Sequence, residues 1–255
     1  MKRFEEKTVI VTGGGGGIGS ASCLRLAAEG ARVAVLDRDL DAAQKTVEAV
    51  RQAGGQAAAF ACDITDRTQV DAAVAAVQAQ LGPVAALVNN AGWDVFKPFL
   101  KTSPAEWDKL IAINLTGALH MLHAVLPGMV ERGYGRVVNV ASDAARGGSS
   151  GEAVYSACKG GLLALSKTLA REHARHAITV NAVCPGPTDT ALLADVAEGA
   201  RDPAKLIEAF RSAIPLGRLG QGDDLASAIA FFASDDAGFV TGQVLSVSGG
   251  LTMHG

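Results

Sequence analysis

Tyr155 and Lys159 stand four residues apart at the start of an Ala/Leu-rich run, a spacing that puts both side chains on one face of a helix. A phenol titrates near pH 10 and is a poor base at neutrality. A neighbouring ammonium favours the phenolate. Such a pair suits proton transfer to or from an alcohol or a ketone. A Tyr-x-x-x-Lys spacing is common on helices, so its company decides its weight. Ser142, just after a β-branched run, reads alone as a turn residue, and Asn114, inside an earlier helical stretch, as a helix cap.

A second constellation lies near the start of the chain. Thr12, five consecutive glycines from Gly13 to Gly17, Ile18 and Gly19 follow a β-branched strand and open an amphipathic helix. Glycines there let the backbone approach a pyrophosphate, whose charge is favoured at a helix N-terminus. The run satisfies Gly-x-Gly-x-x-Gly through Gly14, Gly16 and Gly19, and Thr-Gly-x-x-x-Gly-x-Gly through Gly13, Gly17 and Gly19. Its register stays open, and Gly13, Gly15, Gly16, Gly17, Ile18 and Gly19 are all candidate cofactor contacts. Asp37 ends the next strand, close to the offset at which an acid meets an adenosine ribose. A carboxylate accepts from both ribose hydroxyls and repels a 2′-phosphate, so NAD is expected over NADP. Arg38 argues the other way. It is a phosphate partner, a solvated turn residue or a lid over the adenine. With NAD bound, its positive nicotinamide adds to Lys159, and lowering a phenol by about 3 pH units takes roughly 4 kcal/mol, within reach of two cations.

Short β-branched runs alternate with longer amphipathic stretches, the pattern of parallel strands joined by helices. Strands are expected at Thr8–Val11, Arg32–Leu36, Ala57–Ala61, Val84–Val88, Arg136–Val140, Ile178–Val183 and Val244–Val247, and helices at Ile18–Glu29, Leu40–Ala53, Arg67–Gln80 and Ala153–His176. The expected fold is a single-domain, Rossmann-like α/β fold over residues 1–255, a doubly wound, seven-stranded parallel sheet with helices on both faces. A helical insertion at 190–218 interrupts the alternation, either as a substrate lid or as a packed connection.

Composition narrows the function classes. The 255 residues are 49 % hydrophobic and 19 % charged, with a net charge of −3, an ordinary globular balance with no general attraction for nucleic acid or anionic membranes. Cys23, Cys62, Cys158 and Cys184 are scattered, without zinc-ligand spacing. His120, His123, His173 and His176 stand at spacings of three, but no acid or cysteine completes a metal site, so no metal is expected. No signal peptide and no run of membrane-spanning length is seen, and a cytoplasmic protein is expected.

The Thr12–Gly19 loop, Asn89-Asn90-Ala91-Gly92, Asn114, Ser142, Tyr155, Lys159 and Pro185-Gly186 occur in the order found in the short-chain dehydrogenases/reductases, which the chain resembles from Thr8 to Gly250. The resemblance implies that Tyr155 is the general acid/base and that Ser142 hydrogen-bonds the substrate oxygen. It implies that Lys159 holds the nicotinamide ribose and lowers the tyrosine pKa, and that Asn114 supports a water linking Lys159 to solvent. It places Asp63 and Ile64 beside the adenine and Asn90, Ala91 and Gly92 along the cofactor groove, with Pro185, Gly186, Thr188 and Thr190 as further cofactor contacts. A homotetramer built on the helices around Asn114 and Tyr155 is implied as well. Two positions depart from the family pattern: Thr188 replaces an aliphatic residue, and Ser248-Gly249-Gly250 replaces Asp-Gly-Gly.

The runs Gly92–Phe99, Ser142–Arg146, Gly148–Tyr155 and Cys184–Leu193 further resemble members that oxidise a cyclic β-hydroxyacyl-CoA with NAD. An acyl-CoA thioester is the expected small-molecule partner, with Trp93 and Phe96 as an apolar wall for its ring. Lys205 and Arg211 either meet phosphates of coenzyme A or are solvated helix charges. Reduction of 3-oxoacyl thioesters is the alternative chemistry. A non-catalytic dinucleotide-binding protein is the alternative class.

Overall fold

The computed structural model describes residues 2–198 and 202–253. Seven strands, β1 (Thr8–Thr12), β2 (Arg32–Asp37), β3 (Gln56–Ala61), β4 (Val84–Asn89), β5 (Gly135–Val140), β6 (Ile178–Pro185) and β7 (Val244–Val247), form one sheet in the order β3-β2-β1-β4-β5-β6-β7. Every pairing is parallel. The central strands are apolar throughout because helices cover both faces: β1 and β5 are buried at every residue. Each expected strand is present.

The connecting helices are α1 (Gly17–Ala28), α2 (Leu40–Gln52), α3 (Arg67–Leu81), α4 (Pro104–Ile111), α5 (Gly117–Arg132), the short α6 (Ala144–Gly147), α7 (Ala153–His173), α8 (Ala191–Glu198), α9 (Pro203–Ala213) and α10 (Gly222–Ala233). Side chains start several of them: Asp39 caps α2, Asp66 caps α3, Asp202 caps α9, and Ser103 with Glu106 forms a capping box ahead of Pro104 in α4. Helix α7 ends at His173 rather than His176, because a 3₁₀ turn follows and Ala177 takes the left-handed conformation, φ 55°. The insertion expected at 190–218 comprises α8 and α9. Its residues 199–201 lie outside the described set.

One expectation about length is corrected. A π-turn (Ala112–Thr116) joins α4 to α5, giving a continuous helical stretch Pro104–Arg132, long and apolar enough by composition to cross a membrane. The sequence reading saw no run of membrane-spanning length here. Its apolar residues Leu110, Met121, Leu122, Val125 and Met129 are buried within the protein, and the stretch packs on α3, α7 and β4.

The strand order reverses between β1 and β4. Their carboxyl ends diverge and open a crevice where α/β sheets bind ligands. Two apolar cores flank the sheet, one centred on Val9, Leu26, Leu225 and Ile229, the other on Ile10, Leu87, Met121 and Val180.

Candidate active site

A cleft of about 840 Å³ opens over the carboxyl ends of β1, β2, β4, β5 and β6. At one end, Gly13 and Gly17 adopt φ of 61° and 52°, a region that glycine enters without steric cost. Asn90 Nδ2 donates to the Thr12 and Gly13 carbonyls at 3.0 and 3.1 Å, and Thr12 Oγ1 accepts from the Asn90 and Ala91 amides. The residues after β4 thereby lock the turn after β1. A Cβ on Gly19 would lie 2.0 Å from the Gly13 carbonyl oxygen. These contacts select the register carried by Gly13, Gly17 and Gly19.

Gly13, Gly16, Gly17 and Ile18 line the cleft, whereas Gly19 packs inside the turn and the Gly15 amide turns back to donate to Asp37 Oδ2 at 2.9 Å. Gly16 precedes α1 in an extended conformation, with no side-chain cap and no acid in the first turn of the helix. A Cβ there would meet nothing within 4 Å. Bare amides and open space at a helix start make a seat for a pyrophosphate.

Asp37 closes this end. Its Oδ1 accepts from the Asp39 amide at 3.0 Å and its Oδ2 from Gly15. Each oxygen keeps acceptor capacity for a ribose hydroxyl. Arg38 also faces the cleft, together with Asp63, Ile64, Asn90, Ala91 and Gly92. The Thr65 amide and hydroxyl hold Asp63 in place through Oδ1 at 2.9 and 2.7 Å. Across the groove, Pro185, Gly186, Thr188 and Thr190 line the wall, with the Thr188 hydroxyl donating to the Gly186 carbonyl at 2.8 Å. Thr190 lies over Gly17, and Ser248, the departure noted above, packs on Gly186. These residues fit a dinucleotide.

At the other end Ser142 leaves β5, and Tyr155 and Lys159 share the inner face of α7. Lys159 Nζ donates to the Val140 carbonyl at 3.0 Å and lies 5.6 Å from the centre of the Tyr155 ring. Asn114 occupies the π-turn, where the Gly117 amide reaches back five residues to the Ala112 carbonyl. Its Nδ2 donates to the Leu110 and Trp93 carbonyls at 3.0 and 2.7 Å, and its Oδ1 accepts from the Trp93 amide. Gly92 separates it from the lysine: a Cβ there would be 3.1 Å from Asn114 Oδ1 and 3.3 Å from Lys159 Nζ. Asn114 therefore lies one layer behind the cleft wall, in register with Lys159.

The electrostatics differ from the sequence expectation. Without a dinucleotide the Tyr155 phenol is pushed up, first by burial and then by the charges of Asp94 and Glu152, while a hydrogen bond with Ser142 pulls it down. Burial lowers Lys159 from 10.5 to about 8. A desolvated lysine is a weaker source of positive field, and two carboxyl groups oppose it.

The substrate wall also differs. Trp93 lines the cleft with Lys109 Nζ 3.7 Å above its ring. Phe96 does not line it; its ring packs against Gly151, within 3.1 Å of where a Cβ would be. The apolar surface comes from Ile113, Leu192, Leu193, Val196 and Phe210 instead. Lys205 and Arg211 are exposed and off the cleft, and Arg211 pairs with Glu208 at 2.7 Å, as solvated helix charges do. No group of metal-ligating side chains occurs among the described residues. Three residues that line the cleft, Asp94, Lys109 and Glu152, were not singled out in the sequence. The available signal was Glu152, which stands one helical turn before Tyr155.

A sequence profile of the family described as enoyl-(acyl carrier protein) reductase matches residues 14–252. The chain belongs to the short-chain dehydrogenase/reductase family. An acetoacetyl-CoA reductase of Rhizobium meliloti is 41 % identical to this short-chain dehydrogenase/reductase over 96 % of the chain and 98 % of that protein. A 2-(S)-hydroxypropyl-CoM dehydrogenase of Xanthobacter autotrophicus is 36 % identical over 98 % of both. The crystal structure of a levodione reductase superposes with a TM-score of 0.94 at 34 % identity, covering 97 % of this chain and 98 % of that one. This short-chain dehydrogenase/reductase is accordingly an oxidoreductase acting on a CH–OH group, of a family that typically binds a nicotinamide dinucleotide.

Proposed function

We propose that this protein is an NAD-dependent dehydrogenase that interconverts a β-hydroxyacyl-CoA and a β-ketoacyl-CoA, with 2-hydroxycyclohexanecarboxyl-CoA as its substrate. One observation carries the cofactor reading: the Asp37 carboxylate, held by the Gly15 and Asp39 amides, faces the cleft where the adenosine ribose would rest. A 2′-phosphate would meet that charge. The cyclic substrate reading is supported by the apolar surface of Trp93, Leu192, Leu193, Val196 and Phe210 and by the acetoacetyl-CoA reductases among the relatives.

Bound NAD supplies the hydride acceptor. The chain does the rest. Ser142 donates to the substrate oxygen, and Tyr155 takes the hydroxyl proton as the alkoxide collapses to the ketone. Lys159, fixed on the Val140 carbonyl, orients the nicotinamide ribose, and Asn114 carries a water between Lys159 and solvent. The α8–α9 segment acts as a lid, its Leu192, Leu193 and Phe210 excluding water from the reacting carbon. The protein works in the cytoplasm as a homotetramer built on α5 and α7.

The alternative chemistry is reduction of a 3-oxoacyl thioester with NADPH, and Arg38 at the cleft edge favours it. Nicotinamide absorbance decides between them, comparing NAD with NADP against 2-hydroxycyclohexanecarboxyl-CoA, 3-hydroxybutyryl-CoA and the free hydroxy acid. The expected result is the highest kcat/KM with NAD and the cyclic thioester, and a loss of about 10²- to 10⁴-fold in Tyr155→Phe. Faster turnover of linear thioesters with NADP would transfer the assignment to the reductase.

A further inference from the structure

Ser142 sits at the pivot where β5 gives way to α6, and its neighbours hold that pivot from three sides. The parallel pairing of β5 with β6 runs on past Val140: the Ala141 amide donates to the Val183 carbonyl at 2.8 Å and the Asp143 amide to the Pro185 carbonyl at 2.9 Å. Ser142 is pinned between those two bonds. The backbone then turns at once into α6, with the Ala145 amide donating to the Ser142 carbonyl at 3.0 Å and the Ala144 amide to Ser142 Oγ at 3.1 Å. That second amide takes up one acceptor site of the hydroxyl and leaves its single proton to be donated elsewhere.

The third hold is a side-chain link. Asp143, 6 % exposed, reaches past β6 to β7, where its Oδ1 accepts from the Ser246 hydroxyl. Ser246 Oγ in turn accepts from Arg146 Nη1 at 2.8 Å. Arg146 stands on α6, three residues after Asp143, and its amide donates to the Asp143 carbonyl at 2.9 Å. Guanidinium, hydroxyl and carboxylate thus close a ring round α6. A hydroxyl that accepts from a cation and donates to an anion is held more firmly than by either bond alone. The link is a poor bargain for stability alone: Asp143 Oδ2 is buried and accepts from no group among the described residues, a cost that a purely structural side chain would avoid.

We propose that Asp143 and Ser246 are positioning residues for the reaction, an anchor on β7 that fixes where the Ser142 hydroxyl points. The inference rests on the reading of Ser142 as the donor to the substrate oxygen. A donor to a developing alkoxide contributes most when it needs no rearrangement as the charge builds up. Without the anchor, α6 keeps its backbone bonds but is free to swing about the end of β5. A small displacement of Ser142 is then felt in the chemical step rather than in binding.

The test is a mutant cycle on NAD-dependent turnover, with 2-hydroxycyclohexanecarboxyl-CoA and 3-hydroxybutyryl-CoA as substrates and each variant's fold checked by circular dichroism. Ser246→Ala removes a half-buried hydroxyl from the edge strand, and is expected to lower kcat about tenfold while KM and the calorimetric affinity for NAD stay near those of the parent. Asp143→Ala breaks the same link, so the double variant is expected to lose no more than the single ones. Ser246→Thr, which restores the hydroxyl, and Asp143→Asn, which keeps an acceptor for it, are each expected to recover most of the rate. In a Ser142→Ala background, Ser246→Ala is expected to cost nothing further, because the anchor acts through the hydroxyl already removed. A merely structural role would lower kcat by the same factor in both backgrounds. That result, or a Ser246→Ala enzyme with parental kcat, would overturn the proposal. Full activity in Ser142→Ala alone would instead overturn the donor reading, so the two failures are told apart.

Discussion

Lys159 holds a charge in a place that resists charge, and this leaves a trace in stability. Its pKa falls from 10.5 to about 8 on burial. Between those values the unfolded chain keeps a proton that the folded chain has released, so stability contributed by this residue rises with pH across that window. Lys159→Met removes the dependence. Urea melts should therefore show the variant's stability relative to the parent declining between pH 8 and 10.5, and the variant should have no turnover. Two glycines three residues apart are expected to fail in opposite ways. Gly16→Ala meets open space, so its melting temperature should stay near that of the parent while dinucleotide affinity falls, because the new methyl occupies the pyrophosphate seat. Gly19→Ala puts a methyl against the Gly13 carbonyl, so folding itself should suffer. At Asp37, loss of the carboxylate in Asp37→Ser should weaken NAD by roughly tenfold or more, the worth of a charge-assisted hydrogen bond, and improve NADP. Calorimetric titration with both dinucleotides checks the last two points.

The π-turn is the element that distinguishes this site from a regular helix bundle beside a sheet. Asn114 joins α4, the loop after β4 and the space beside Lys159 through one amide, and it is 1 % exposed. Asn114→Ala abandons buried partners on both sides and should cost about 2–4 kcal/mol of stability, read as a lowered urea midpoint. Deleting one residue from 112–116 would return the turn to α geometry, because the turn absorbs one residue more than an α-helical turn does. Little in the sequence marks this turn, because 112–116 itself holds neither glycine nor proline and apolar periodicity continues through it. The strands were legible, since β-branched runs buried on both faces leave few alternatives, and so were Tyr155 and Lys159, whose relation is one helical turn. Phe96 was misread for a different reason. An aromatic next to a cleft can face inwards or staple the loop behind it, and which one occurs depends on Gly151, more than fifty residues away.

At the scale of the whole molecule, two groups of uncovered apolar side chains lie along elements that could pack on another chain. Phe99, Leu100, Ile111 and Leu119 lie along the Pro104–Arg132 stretch and its approach, and Phe239 and Leu245 lie at the edge strand β7. An uncovered edge strand and a long half-apolar helix are surfaces that proteins ordinarily shield. Light scattering is expected to give four times the 26.0 kDa of one chain, and a charged residue at Leu119 to reduce it. The thiols have the opposite distribution. Cys23, Cys62, Cys158 and Cys184 are all buried, and burial raises the pKa of each, which leaves little thiolate for an alkylating reagent. A cysteine placed at exposed Lys205 would then be labelled alone, without first removing the native four. A dye attached there rides on α9, so in a Trp107→Phe background energy transfer from the cleft residue Trp93 would test whether that segment closes over a bound ligand.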